Sequence, residues 1–111
     1  MDRDRRAQWL RGVLDLCVLG ALSGGESYGY QIAQRLEAGG LGPIAGGTLY
    51  PTLLRLEKIG LIRADWRGGE GGPARKYYRL SDTGAETLAS ASAEWAGFAG
   101  VVKTFLEVAT P

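Results

Sequence analysis

Apolar side chains recur at helical spacing in four stretches of this chain and alternate with polar side chains in two more. The helical stretches are residues 9–22, 27–38, 46–60 and 81–109, and the alternating ones are residues 61–66 and 75–80. The first helix is apolar over most of its circumference, which predicts that it is covered on more than one side. This order predicts a mainly α fold with a small β-hairpin.

Residues 46–60, GGTLYPTLLRLEKIG, predict a short helix with one buried and one polar face. Leu49, Leu53 and Leu56 share an apolar stripe, while Thr52, Arg55 and Lys58 lie on other faces. Thr48 is expected to cap the N-terminus, which places Pro51 in the first turn, and Gly60 is expected to end the helix in a left-handed conformation. The same pattern also fits an ordinary amphipathic helix.

The preceding residues 27–38 predict another helix, with Ser27 as its N-cap and Ile32 and Leu36 on its buried side. Two short helices separated by a turn, the second with a polar face, make a candidate helix-turn-helix. In that motif the second helix lies in the major groove of DNA. Thr48, Thr52 and Arg55 would then face the groove, with Arg55 suited to a bidentate contact with guanine.

The two alternating segments, LIRADW and RKYYRL, flank the loop RGGEGGPA. Four glycines and a proline in eight residues exclude a regular element there, so the segments predict a hairpin with Arg67, Arg75 and Lys76 near its tip. A hairpin after a helix-turn-helix is the order of a winged helix, and its basic residues suit phosphates or a minor groove. The alternative is a solvated tip without a partner.

Residues 81–109 predict one long helix with Ser81 as N-cap and Asp82 in the first turn. Its apolar seam comprises Leu88, Ser92, Trp95, Ala99, Val102, Leu106 and Ala109, flanked by Phe98 and Phe105. The seam predicts pairing with the same helix of a second copy, the alternative being that it folds back over its own domain. The expected dimer interface is Trp9, Leu10, Val13, Leu88, Trp95, Phe98, Ala99, Val102, Phe105 and Leu106. Residues 1–80 would form the winged helix-turn-helix and residues 81–111 the dimerisation helix.

Composition argues against catalysis. The 111 residues include no histidine and a single cysteine, Cys17, which excludes His-based acid–base pairs, Cys/His zinc sites and an internal disulfide. No phosphate-binding glycine loop or nucleophile elbow occurs. We therefore expect neither an enzyme, nor a cofactor, nor a metal site. With no visible secretion signal or membrane-spanning stretch, the cytoplasm is the expected location.

The net charge of +1 hides an uneven distribution. Residues 28–80 hold eight Lys/Arg against four Asp/Glu, whereas residues 81–111 hold one against four. The middle of the chain thus has the sign expected for a polyanionic partner, although the bias is mild.

With these motifs assembled, the chain resembles the PadR family of bacterial transcriptional regulators. The resemblance is carried by LRGVLDLCVLGAL (10–22), SYGYQIAQRLE (27–37), GTLYPTLLRLEKIGLI (47–62) and GGPARKYYRLSDTG (71–84). The short tail is similar to the compact subtype, in which one long C-terminal helix dimerises. The resemblance implies a homodimer that binds an inverted-repeat operator, usually as a repressor, and releases it when a small effector binds or a stress signal arrives.

The resemblance also implies which residues contact DNA and effector. The implied DNA contacts are Tyr30, Gln31, Thr48, Tyr50, Pro51, Thr52 and Arg55 from the two helices and Arg67, Arg75 and Lys76 from the wing. Trp95 stands where the multidrug-sensing subtype binds flat aromatic compounds between paired helices, and it could equally be a core residue of the interface. Gly97 and Gly100 depart from the family pattern and weaken this helix by about 1 kcal/mol each relative to alanine.

Two other classes of function stay open. A winged helix can serve as a protein-interaction module without DNA, in which case no duplex would bind in a salt-dependent way. A protein that binds a hydrophobic ligand at the dimer interface is the second, and its tryptophan fluorescence would be quenched by planar aromatic compounds.

Overall fold

The computed structural model describes residues 2–69 and 71–108, the last of these through its backbone alone. Within these ranges the elements are α1 (Arg3–Arg11), α2 (Leu14–Ser23), β1 (Ser27–Tyr28), α3 (Gly29–Leu36), α4 (Gly46–Lys58), β2 (Ile62–Arg67), β3 (Arg75–Leu80) and α5 (Asp82–Val108). A π-helical turn, Glu37–Leu41, follows α3 directly. The predicted mainly α fold with a β-hairpin wing is confirmed.

The helix predicted over residues 9–22 is two helices in the structure. At the end of α1 the N–H groups of Gly12 and Val13 donate to the carbonyls of Trp9 (3.3 Å) and Leu10 (3.0 Å). Both bonds span three residues, so the chain tightens into a turn of 3₁₀ type before α2 starts. Glycine destabilises a helix interior by roughly 0.5–1 kcal/mol relative to alanine, which favours a break at Gly12.

Helix α2 is the centre of the core. It packs against α3, α4, α5 and β3, so the prediction that this apolar helix is covered on several sides is confirmed. The buried apolar cluster consists of Leu14, Val18, Leu19, Leu22, Ile32, Leu36, Leu49, Leu53, Leu56, Ile62 and Tyr78. Full burial of one such side chain contributes roughly 1.5–3 kcal/mol. This cluster therefore holds α2, α3 and α4 against the sheet.

Helix α4 begins earlier than the sequence predicts. Ala45 occupies the N-cap position without a side-chain hydrogen bond, so Thr48 is a residue of the first turn rather than the cap. Pro51 is consequently the sixth helical residue and lies in the second turn rather than in the first. The C-terminal prediction is confirmed, since Gly60 has φ +83°. Its N–H donates to the carbonyl of Glu57 (3.1 Å) and the Leu61 N–H to that of Leu56 (3.0 Å), the pair of bonds of a Schellman motif.

The sheet has three antiparallel strands in the order β1-β3-β2, one more than predicted. Ser27 pairs with Tyr78 in this short first strand, so Ser27 precedes the helix instead of capping it. Between β2 and β3 the register runs from Ile62 opposite Leu80 to Arg67 opposite Arg75. Side chains alternate across a strand, so Ile62 and Tyr78 lie on the core side and Tyr77 on the outer side.

The start of α5 is fastened to the end of α4. The Ser81 hydroxyl accepts from the Gly84 N–H (2.9 Å), which confirms Ser81 as the cap, and donates to the Gly60 carbonyl (2.6 Å). The Ser81 N–H donates to the Leu61 carbonyl (3.1 Å). A Cβ at Gly84 would lie 1.9 Å from that Leu61 oxygen, so only glycine fits this contact.

Beyond its first turns α5 leaves much of its apolar surface exposed. Trp95, Phe98, Val102 and Phe105 are 46%, 66%, 41% and 75% exposed. Ala109, the last residue of the predicted seam, lies outside the described residues. Among the helices described, none is long and apolar enough to cross a membrane.

Candidate nucleic-acid interface

The outward face of α4 is formed by four residues on successive turns. Gly47, Pro51, Leu54 and Lys58 are exposed and lie opposite the buried Leu49–Leu53–Leu56 stripe. Each helical residue advances by about 100°, so these positions project furthest from the core. Leu54 and Lys58 were not among the predicted contacts, although the spacing of the leucine stripe already places Lys58 opposite it.

The prediction that Thr52 faces the groove is wrong. Its side chain is 5% exposed, and its hydroxyl donates to the carbonyl of Thr48 at 3.0 Å. Thr52 lies within about 60° of Leu49 and Leu56 around the helix, so the stripe that buries the leucines includes it. Its hydroxyl is therefore already hydrogen-bonded within the helix, on the side that faces the core.

Thr48 and Arg55 occupy one flank of α4. Thr48 is exposed and lines a groove of about 280 Å³ together with Arg11 of α1. Arg55 forms an ion pair with Asp15 of α2. The guanine contact predicted for Arg55 therefore requires this exposed ion pair to open, which costs at most about 1 kcal/mol.

The opposite flank of α4 lies next to the start of α3. Tyr50 is 53% exposed, and a Cβ at Gly29 would lie 2.7 Å from the Tyr50 ring, so the absence of a side chain at Gly29 lets this ring lie across the start of α3. Tyr30 is 63% exposed. Gln31 is half-buried and its amide oxygen accepts from the Ser27 hydroxyl at 3.0 Å, which leaves its amide nitrogen for other contacts. Tyr30 and Tyr50 are thus both exposed where the start of α3 meets α4.

In the wing, two arginines lie over tyrosine rings. The Arg75 guanidinium lies 4.5 Å from the centre of the Tyr28 ring and that of Arg67 lies 5.0 Å from the centre of Tyr77. The two rings meet edge to face at 5.4 Å. Arg67 also makes a bidentate ion pair with Glu26, in which its Nη2 donates to Oε2 of Glu26 at 2.7 Å. Hydrogen bonding from Arg67 lowers the pKa of the Glu26 carboxyl, so Glu26 is ionised at neutral pH.

Lys76 is placed differently from its two neighbours, and the phosphate contact predicted for it requires its ion pair with Glu57 to open. It shares the inner face of the sheet with Tyr78 because side chains alternate along β3. Its Nζ donates to a carboxylate oxygen of Glu57 at 2.9 Å and lies 5.5 Å from the centre of the Tyr78 ring. The hydrogen bond to Glu57 raises the pKa of Lys76. Lys76 therefore joins the sheet to α4.

The N-terminal helix adds charge that the predicted contacts omit. Helix α1 has no buried residue and carries Arg3, Arg5, Arg6 and Arg11. The Arg6 guanidinium donates to the Gly40 carbonyl at 3.0 Å, which holds α1 beside the turn that leads into α4. The N-terminal half of α4 is thus bordered by arginines.

A separate groove of about 560 Å³ lies between α1 and α5. Its walls include Trp9, Val13, Trp95, Phe98 and Val102, which are all members of the predicted dimer interface. Leu10 and Leu88, in contrast, pack partly on the protein's own core.

Burial raises the pKa of the Cys17 thiol. No cluster of His, Cys, Asp or Glu suited to a metal occurs in the part of the chain that the structure describes.

An exposed face on the second helix of a helix-turn-helix, bordered by the first helix and by a basic hairpin, defines the winged-helix class of proteins. Comparison with known proteins narrows this class. Residues 18–90 match the model of the transcriptional regulator PadR-like family, so the chain belongs to the PadR family of transcriptional regulators.

Individual relatives agree with this assignment. The chain is 35% identical over 81 residues to the transcriptional regulator Rv3488 of Mycobacterium tuberculosis, an overlap of 73% of this chain and 74% of that protein. A PadR family regulator from Eggerthella lenta superposes with a TM-score of 0.82 at 37% identity, covering 91% of this chain and 88% of the other. Bacillus subtilis PadR, solved in complex with operator DNA, superposes with a TM-score of 0.64 at 30% identity over 70% of this chain and 45% of that chain.

Proposed function

We propose that this PadR family regulator binds an operator as a homodimer, with α4 in the major groove and the wing on the adjacent backbone. The observation that carries the proposal is the exposed outward face of α4 together with the two arginines of a wing that the Lys76–Glu57 ion pair joins to this helix. A helix fits the major groove of B-DNA, and guanidinium groups bind phosphate oxygens. The similar fold of Bacillus subtilis PadR, solved with operator DNA, supports the same use of this surface.

The groove contacts come from the side chains that the structure leaves exposed. These are Tyr30, Thr48, Tyr50, Pro51, Leu54 and Lys58, with Arg67 and Arg75 on phosphates. Gln31 contributes through its amide nitrogen, and Arg55 contributes when it leaves Asp15. Direct readout of bases by a few side chains gives selectivity, and phosphate contacts give register and affinity.

The homodimer is supported by the apolar surface of α5 and α1. The exposed aromatic residues Trp9, Trp95, Phe98 and Phe105 lie on these two helices, together with Ala99, Val102 and Leu106. A long helix with a continuous exposed apolar seam is the usual means of pairing two copies. Two-fold symmetry of the protein then requires an inverted-repeat operator.

Repression and release by a small effector are the finer part of the proposal. A dimer bound over a promoter excludes polymerase, and an apolar compound that enters the groove beside Trp95 changes how the two α5 helices pack. The partly exposed indole of Trp95 offers a flat aromatic surface to such a compound. We place this regulator in the cytoplasm, where bacterial DNA is found, and assign it no enzymatic activity.

The deciding experiment is binding of the purified protein to DNA upstream of its own gene across a salt series. Selective binding with a dissociation constant of about 10⁻⁸ M or tighter, weakening steeply as salt rises, is expected. If that DNA binds no better than random duplex, selection from a random duplex library follows. Failure of both, with a folded protein, contradicts the proposal and leaves the protein-interaction module.

A further inference from the structure

The outer face of the sheet carries four arginines, two of which belong to no contact described so far. Cross-strand partners share a face, so the register places three pairs outward: Arg67 with Arg75, Asp65 with Tyr77, and Arg63 with Arg79. The first pair lies at the base of the wing tip. The last pair lies four residues further along each strand, about 14 Å away.

The arginines on this face outnumber its acids. The Arg79 guanidinium donates to Asp65 at 2.9 Å, and Arg67 lies 3.8 Å from the same carboxylate. Glu26 holds the other side of Arg67. Arg63 is exposed and has no ion-pair partner among residues 2–69 and 71–108. Four guanidinium groups against two carboxylates leave an excess of two positive charges.

Two tyrosine rings lie in the middle of this row of arginines, and both are in contact with arginine side chains. Tyr28 and Tyr77 lie between the two arginine pairs, and each has an arginine over its ring. Bases of single-stranded nucleic acid stack on free aromatic faces, and an arginine already covers one face of each of these rings. What the face presents is a row of guanidinium groups, which suits the phosphates of a duplex.

We propose that Arg63 and Arg79 bind the DNA backbone outside the half-site that α4 reads, so that the outer face of the sheet extends the footprint of each protomer. The proposal rests on the proposed function. A duplex is favoured over an acidic protein because the row is continuous with Arg67 and Arg75, which the proposed function already places on phosphates. The shared carboxylate of Asp65 links the two halves of the row.

The test compares two duplexes, one that ends at the outer edges of the operator half-sites and one that continues for about ten base pairs, one helical turn, on each side. The wild type should bind the longer duplex about tenfold more tightly, with a steeper dependence on salt. The double variant Arg63→Gln/Arg79→Gln should lose this preference and keep its affinity for the short duplex. Its log–log salt slope on the long duplex should fall by about 1.8, or 0.9 for each phosphate contact removed.

Two single variants make the comparison specific. Lys103→Gln removes one exposed positive charge from α5, roughly 30 Å along that helix from the sheet, and should leave both affinities unchanged. Asp65→Asn removes the carboxylate shared by Arg67 and Arg79, and should tighten binding to the long duplex and steepen its salt slope.

The remaining outcomes overturn the inference. An unchanged preference in the double variant means that the arginines touch no DNA, and an acidic protein partner then becomes the better explanation. An equal loss on both duplexes means that they act within the half-site. If the wild type selects no duplex, the proposed function itself fails, which is a different result from either.

Discussion

At the scale of single residues, Gly84 allows the close contact between α5 and the turn that ends α4. Gly84 sits in the first turn of α5, and its missing side chain lets the Leu61 carbonyl approach the helix N-terminus. Overfilling a packed site generally costs about 1–3 kcal/mol. The obstacle here is backbone rather than a movable side chain, so relief requires one of two elements to shift.

Gly84→Ala should therefore lower the free energy of unfolding by about 1–3 kcal/mol, measured by urea denaturation. The matched control is Gly20→Ala in α2, where an added Cβ meets nothing within 4 Å. That variant should gain roughly 0.5–1 kcal/mol from the lower entropy of its unfolded chain. Equal effects of the two substitutions would contradict the close approach at Gly84.

Thr52 and Lys58 provide a second prediction, because the structure separates two polar residues of the same helix. Lys58→Gln should weaken binding to every duplex and lower the salt slope by about 0.9, since Lys58 faces outward. Thr52→Val should leave operator affinity and selectivity unchanged. It should change the free energy of unfolding by about 0.5–1.5 kcal/mol, the contribution of one hydrogen bond. A selective loss of operator binding in Thr52→Val would show that Thr52 reaches DNA after all.

At the scale of elements, α5 carries the exposed apolar surface through which we propose that two copies of the chain pair. Phe98 is 66% exposed on the apolar seam, while Ala96 is exposed on the side that carries Lys103 and Glu107. Phe98→Glu should place a charge from each copy in the proposed interface, where desolvation costs at least about 2 kcal/mol per charge, so dimerisation should weaken by about 10³-fold. Ala96→Glu should leave the dimer intact.

Sedimentation or light scattering distinguishes the 11.8 kDa monomer from a dimer of twice that mass. A wild type that is monomeric at micromolar concentration, or a Phe98→Glu variant that remains fully dimeric, would refute this use of the seam. Circular dichroism of each variant shows whether α5 is still helical.

The elements also show what could be predicted from sequence. Gly60 and Ser81 were identifiable because a left-handed residue and a hydroxyl cap each require particular residue types. The start of α4 was missed because its N-cap is Ala45, which gives no such signal, while Thr48 nearby imitates one. Strand β1 is two residues long and is defined only by pairing with Tyr77 and Tyr78, about fifty positions later.

The ion pairs of the candidate site lay beyond sequence reasoning for the same reason. Arg55 meets Asp15, Arg67 meets Glu26 and Lys76 meets Glu57, each across at least 19 positions. Side-chain alternation along β3 could have assigned Lys76 to the inner face, since Tyr78 and Leu80 already defined that face. The position of a carboxylate on another element could not be read from the local pattern.

At the scale of the whole molecule, the hydrogen bonds from Ser81 to Gly60 and Leu61 couple the orientation of α5 to that of α4. The helix is about 40 Å long, and Trp95 lies about 20 Å from this joint, so a small displacement at Trp95 becomes a rotation of everything beyond the joint. No flexible linker separates α5 from α4, since Ser81 at the start of α5 bonds directly to the turn that ends α4. In a dimer paired through α5, the angle at which the two α5 helices cross sets the distance between the two recognition helices. A compound bound in the groove beside Trp95 would thus change the spacing of the half-sites that the dimer can bind. It would do so without contacting the outward face of α4.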